Sequence, residues 1–454
     1  MPQEFPAERD SVFQPNGDAS RLSHGRIDLM HGNIIIKNAS EVVTCSGFQA
    51  KKGSEMADLH VIRNGCVVIE NGRISLVGRS SDLPEKTDSE QFNILDLKGE
   101  KAVLPGFVDS HTHFVFGGYR ADEFAWRLSG MAYMEIMSRG GGIVSTVSAT
   151  RKASLEELLD TGRKRLDSLL SFGVTTVEGK SGYGLDHDTE IRQLQAMKEL
   201  DATHPVDVVR TFLGAHAVPS EYKGRTDDFL NLMRETVLPE VAEKGLAEFC
   251  DIFCEKGVFS VEQSRRFLLK AKKLGFKLTM HADEIVPLGG AELAAELGAV
   301  SADHLLQASD QGIADLARTG VVATLLPLTA FSLREPYARG RFMIDHNCAV
   351  ALATDLNPGS CFSESVPLLA ALATLYMRLS VEEAITALTI NGAAALDRAK
   401  DTGSLDPGKK GDVVILDVPS YKFIPYHIGV STVEKVIKKG TIVFDKLQGG
   451  REPC

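Results

Sequence analysis

The stretch LPGFVDSHTHFVFGG, residues 104–118, opens as a buried apolar run and then ends abruptly in Asp-Ser-His-Thr-His. Side chains alternate along a strand with period two, so His111 and His113 share a face. Two imidazoles on one face, at the end of a strand, can hold one object between them.

Further runs repeat this design. GVTTVEGKSG (173–182), DVVRTFLGAH (207–216), AEFCDIFCEKG (247–257), KLTMHADE (277–284), SADHLL (301–306), VVATLLP (321–327) and AVALATDLNPG (349–359) each read as a strand. Amphipathic helical stretches such as SLEELLDTGRKRLDSLL, TEIRQLQAMKELDA, VEQSRRFLLKAKKLG and VEEAITALTINGAAAL separate many of them. Eight strands alternating with helices predict an α/β fold, a (β/α)8 TIM-like barrel over residues 105–400, with its site at the C-terminal strand ends. A doubly wound sheet is the alternative.

The flanks have a different pattern. NIIIKNASEVVTC and GCVVIENGRISLVG, with Asn71-Gly72 as a hairpin signal, precede the barrel, and KKGDVVILDVP and KVIKKGTIVFDK follow it. Residues 31–104 and 401–454 are therefore expected to form one small β-sandwich domain built from both chain ends. Residues 81–93 read as a polar surface loop, and residues 1–30 as a poorly ordered N-terminal extension, since they lack the apolar core of a signal peptide.

A net charge of −11 with no Lys/Arg-rich block argues against a nucleic-acid partner. No apolar window is long enough for a membrane span. Seven cysteines without a repeated framework suit a reduced cytoplasmic protein, and Cys250 and Cys254 read as core residues.

In a barrel the strand ends converge on one mouth. His111, His113, His216, His281, His304 and Asp355 would then meet despite their separation in sequence. Nitrogen and carboxylate donors of this kind suit Zn²⁺ or iron. His24, His31, His60, His187, His204, His346 and His427 lack that placement and read as structural.

PGFVDSHTH with a distal ATDLNPG resembles the amidohydrolase superfamily of metal-dependent hydrolases. The stretch VFGGYRADEFAWRLSGMAYMEIMSRGGGIVSTVSATR, followed by EGKSGYGLD, LGAHAVP, FCEKGVFS, MHADE and DLNPGS, is similar to the branch that opens an imidazolone ring in histidine degradation. The resemblance covers roughly residues 100–440.

It implies that His111, His113, His281 and Asp355 bind one metal ion, Zn²⁺ or Fe²⁺/Fe³⁺. It further implies that Arg120, Tyr133, Tyr183, His216 and Glu284 bind a small anionic cyclic amide, with Asn357, Gly359 and Ser360 contacting substrate or product. Asp355, Glu284 and His304 are the implied catalytic groups, in an order of acid and base that spacing leaves open. The implied reaction is hydrolysis of 4-imidazolone-5-propanoate to N-formimidoyl-L-glutamate, and a cytoplasmic homodimer is expected by analogy.

The residues agree with these roles. Arg120 offers a bidentate fork for a carboxylate, against the alternative of a surface ion pair with Asp122 or Glu123. Tyr133 and Tyr183 combine an apolar body with a phenolic donor. The glycines at 140–142 suit a mobile loop near the mouth. Asp283 reads as a helix N-terminal carboxylate. Lys256, at the end of the fourth strand, is the candidate for bridging a second metal, although one ion is expected. A purine-base deaminase on the same scaffold and a non-catalytic barrel are the rival readings.

Overall fold

The structure is a computed structural model that describes residues 32–83, 91–131, 135, 139 and 141–448. The N-terminal extension, Tyr133, Gly140 and most of the 81–93 loop therefore lie outside the described residues.

The first strands are β1 (Ile34–Val43), β2 (Val61–Glu70), β3 (Arg73–Arg79), β4 (Asn93–Asp96) and β5 (Ala102–Pro105). Asn71 and Gly72 have φ of 52° and 76°, the left-handed pair that a tight hairpin needs, and Glu70 accordingly faces Arg73 across β2 and β3. The barrel strands are β6 (Phe107–Asp109), β7 (Val174–Lys180), β8 (Asp207–Ala215), β9 (Phe249–Cys254), the two short pieces β10 (Lys277–Leu278) and β11 (His281–Ala282), β12 (Ser301–His304), β13 (Val322–Leu325) and β14 (Val350–Leu352). The chain closes with β15 (Val413–Leu416), β16 (Val433–Lys438) and β17 (Thr441–Asp445).

All eight barrel strands foreseen in the sequence are present and run parallel in the order β6, β7, β8, β9, β10 with β11, β12, β13, β14. The first and last strands are joined beyond their ends. The Asp109 carboxylate accepts from the Thr354 amide (3.0 Å) and hydroxyl (2.6 Å), Thr112 bridges to Leu356, and the Asp355 amide donates to the His111 carbonyl (3.0 Å). This closure sets the histidines of the first strand beside the aspartate of the last. Apolar helix faces cover the outside, as on the helix Leu155–Ser171, which starts in a capping box between Ser154 and Glu157 and buries Leu158, Leu166 and Leu169.

The expected helix over VEEAITALTINGAAAL is two helices, Val381–Leu388 and Ile390–Ala395, broken at Thr389 with φ −126° and ψ −98°. The break lets Gly392 lie against β6, where an added Cβ would stand 2.8 Å from the Val108 carbonyl oxygen. Tertiary packing here overrides a continuous helical pattern.

The two chain ends meet where β15 pairs antiparallel with β5. The small domain is one mixed sheet in the order β17, β16, β15, β5, β1, β2, β3, with β4 beside β1. Ile34, Ile36, Val67, Ile69, Ile415 and Ile437, from both ends of the chain, share its core. Lys438 of β16 clasps it to the barrel, bonding Asp412 (2.7 Å) and Asp207 (2.8 Å) at the start of β8. Among the described residues no helix is long and apolar enough to cross a membrane. Cys250 and Cys254 are buried, free thiols within β9.

Candidate metal centre and active site

β6 ends at Asp109, and just beyond it His111 and His113 flank Thr112, which bridges to Leu356, with their ring centres 5.3 Å apart. His281 from β11 lies 4.6 Å and 5.5 Å from those rings. Overlapping triads place donor atoms within 4.8 Å of one another: His111 with His113 and Asp355, His111 with His281 and His304, and His113 with His216 and His281. The six strand-end residues of the sequence reading are thus brought together.

Hydrogen bonds decide which way the imidazoles face. His111 Nδ1 bonds Asp303 Oδ2 at 2.7 Å, and His281 Nδ1 bonds Asp251 Oδ2 at 2.8 Å. His216 Nδ1 donates to the Gly182 carbonyl at 3.0 Å. With Nδ1 protonated for these acceptors, each Nε2 keeps its lone pair for the mouth, as metal ligation requires. His111 Nε2 is buried without a hydrogen-bond partner among the described residues. Leaving a buried polar atom unpaired is costly, and a cation would satisfy it. The donor set therefore fits a metal ion.

For four of the rings the electrostatics point the same way. Burial holds His111, His113 and His304 well below the ordinary imidazole range, and burial together with His281 takes His216 down to about 3. Burial also disfavours a charge on His281, but Asp251 outweighs it and raises that ring. Burial pushes Asp355 up to about 6, although Thr329 donates to its Oδ2 at 2.6 Å. Asp355 and His304 have φ of 53° and 72°, left-handed values that strain a non-glycine backbone at the site.

Glu284 stands with Oε1 3.7 Å from His304 Nδ1, and burial followed by the charge of Asp355 raises its carboxyl to about 7. Asp283 caps the helix Gly290–Leu297, its carboxylate accepting from the amides of Leu288, Gly289, Gly290 and Ala291. Tyr183 is buried, its ring 5.7 Å from His113 and 5.4 Å from His216.

Arg120 does pair with Glu123, through Nε at 2.8 Å and a second contact from Nη2. It also faces inward, lying so close to Gly359 that an added Cβ would meet Nη1 at 2.0 Å. Glu123 in turn accepts from the Gly142 amide at 2.7 Å, tying Arg120 to the end of the glycine run. The Asn357 amide is used within its own loop, accepting from the Gly359 and Ser360 amides (2.8 Å each) and donating to the Asp355 carbonyl (2.7 Å). A cavity of about 850 Å³ opens beside this loop, lined by Arg120, Gly359 and Ser360 with Tyr119, Phe331 and Tyr376.

Sequence reasoning missed Glu178, Lys180, Asp251 and Asp303, which lie behind the histidines. Burial opposes a charge on Lys180, but Asp251, Glu178 and Asp303 hold its ammonium far above the ordinary value. An acid inside an otherwise apolar strand was the available signal. Lys256, by contrast, is exposed.

A family model described as the amidohydrolase family matches residues 132–444. With that match and this histidine-lined barrel mouth, the chain belongs to the amidohydrolase family, a metal-dependent group of hydrolases. Two relatives carry a narrower name. An imidazolonepropionase of Clostridium tetani is 62% identical over 415 residues, 91% of this chain and 99% of that one. An imidazolonepropionase of Parabacteroides distasonis is 60% identical over 413 residues, again 91% and 99% of the two chains. Among solved structures, an adenosine deaminase from Xanthomonas campestris with bound zinc has a TM-score of 0.63 at 17% identity, covering 92% of this chain and 96% of that one, a likeness of fold.

Proposed function

We propose that this protein is an imidazolonepropionase, which hydrolyses 4-imidazolone-5-propanoate to N-formimidoyl-L-glutamate, the third step of histidine degradation. The observation that carries the reading is identity of 60% and more to relatives of that name over 91% of the chain. The site supports it, because Arg120 lies at the mouth of an otherwise acidic protein and suits a substrate with a carboxylate arm.

His111, His113, His281 and Asp355 hold one ion, Zn²⁺ or iron. Such an ion supplies Lewis acidity to the centre when bound. The remaining chemistry belongs to the side chains. Arg120 takes the propanoate carboxylate, while Tyr183 and His216 flank the ring; Tyr133 joins them in this reading. Asn357 shapes the loop that presents Gly359 and Ser360.

Asp355 takes the proton of the attacking water, and neutral His304 steadies that water. As the ring carbonyl carbon gains a hydroxyl, its bond to nitrogen breaks. Glu284 delivers the proton that the leaving nitrogen requires, a role that a carboxyl raised to about 7 can fill near neutral pH. The same reading has the protein working as a cytoplasmic homodimer, which light scattering on the purified protein tests.

The test of function is product formation from freshly generated 4-imidazolone-5-propanoate, followed by mass spectrometry with enzyme, with chelated enzyme and without enzyme. Rapid, metal-dependent formimidoyl-glutamate, one water heavier than the substrate, is expected. Failure of the fully metallated protein would discard this substrate and turn attention to other cyclic amides and to deaminase substrates.

A further inference from the structure

Behind the histidines, four charged side chains from three strands meet away from solvent. Glu178 and Lys180 come from β7, Asp251 from β9 and Asp303 from β12, and all four are buried. The Lys180 ammonium lies 2.9 Å from Glu178 Oε1, 2.8 Å from Asp251 Oδ2 and 3.4 Å from Asp303 Oδ2. Asp251 Oδ2 and Asp303 Oδ2 are the same two oxygens that accept from His281 Nδ1 and His111 Nδ1. One ammonium is therefore shared by the two atoms that orient two imidazoles.

The neighbouring groups complete this arrangement. Ser301 donates to Asp303 Oδ1 at 2.9 Å, Thr279 to Asp303 Oδ2 at 3.2 Å, and the His281 amide to Asp251 Oδ1 at 3.1 Å. Thr211 donates to Glu178 at 2.5 Å. Without the ammonium, three carboxylates would crowd one buried space. Their mutual repulsion would then turn the acceptors away from the imidazoles.

We propose that Lys180 is a positioning residue for the metal centre, its ammonium locking Asp251 and Asp303 so that His281 and His111 aim Nε2 at a single cation. The proposal rests on the metal reading of the site. The Lys180 ammonium bonds the three carboxylates and reaches the imidazoles only through two of them. It acts through two carboxylates, and a lysine that served the fold alone would leave metal affinity unchanged in a folded variant.

The test is a competition titration of Zn²⁺ between apoprotein and a chromogenic chelator, for wild type, Lys180→Met, Asp303→Asn and the double variant, with circular dichroism reporting the fold. Lys180→Met is expected to bind Zn²⁺ about 10- to 100-fold more weakly with an unchanged spectrum. The double variant is expected to lose less than the product of the two single losses, because both substitutions break one chain of contacts. Affinity within about twofold of wild type in folded Lys180→Met overturns the proposal, and so do losses that multiply.

If Lys180→Met does not fold, Lys180→Gln replaces it under the same criterion. If neither folds, Asp251→Asn and Asp303→Asn decide: wild-type affinity in both overturns the proposal, and a loss of about tenfold or more in each supports it. Wild-type protein that binds no Zn²⁺ is a separate failure, that of the proposed zinc centre itself.

Discussion

One added methyl group at Gly359 tests the substrate grip directly. The Cβ of Gly359→Ala would stand 2.0 Å from Arg120 Nη1 and 2.8 Å from its Cζ, where ordinary contact begins at 3.4 Å. The guanidinium must therefore retreat by 3.4 − 2.0 = 1.4 Å. It is the end of a flexible side chain, so the fold tolerates the change, but Glu123 holds Nε and Nη2 and restricts where the fork can go. Hydrogen bonds to charged groups contribute about 1.5–3 kcal/mol, and losing the proposed contact to a propanoate carboxylate corresponds to about 10- to 100-fold in affinity.

Initial-rate kinetics on fresh substrate are expected to show KM raised by about that factor, with kcat within about threefold, since in the proposed reading Arg120 grips an arm remote from the reacting bond. The thermal midpoint stays within a few degrees of wild type. In an Arg120→Met background the alanine should add nothing further. An unchanged KM in Gly359→Ala, or a full additional loss in the double variant, would refute the reasoning.

Removing the metal with a chelator is expected to abolish turnover, with recovery on adding back Zn²⁺ or Fe²⁺, read in the same assay. Asp355→Asn and Glu284→Gln should each lower kcat by about 10²-fold or more, and retained activity in either removes that residue from the mechanism. Glu284 as donor must be protonated, and burial raises its carboxyl to about 7, so kcat/KM should fall as pH rises through that value; the limb should vanish in the residual activity of Glu284→Gln. Asp412→Ala strips Lys438 of its 2.7 Å partner at the junction of sheet and barrel, leaving only Asp207. Urea unfolding should show a loss of about 3 kcal/mol.

The parts of this molecule legible in the sequence are those whose meaning is local. His111 and His113 share a face by strand period alone, Asn71-Gly72 carries its own turn geometry, and His216, His281, His304 and Asp355 each end a strand expected from the sequence. Arg120 shows the limit of that reading. Its pairing with Glu123 lies three residues away and was readable, whereas its approach to Gly359 depends on barrel closure between β6 and β14.

The carboxylates behind the histidines lay deeper still, since Asp303 reaches His111 across 192 residues and Asp251 reaches Lys180 across 71. Each nevertheless left a trace. FCDIFC and VTTVEGK put charges inside strands that are otherwise uncharged and that a barrel buries on both faces. A charge in such a place must be paired or neutralised. Lys180 shares β7 with Glu178 and also meets Asp251 of β9 and Asp303 of β12, so charge pairing gathers the three acids around it, and their remaining negative charge makes the barrel mouth a place where a cation is stabilised.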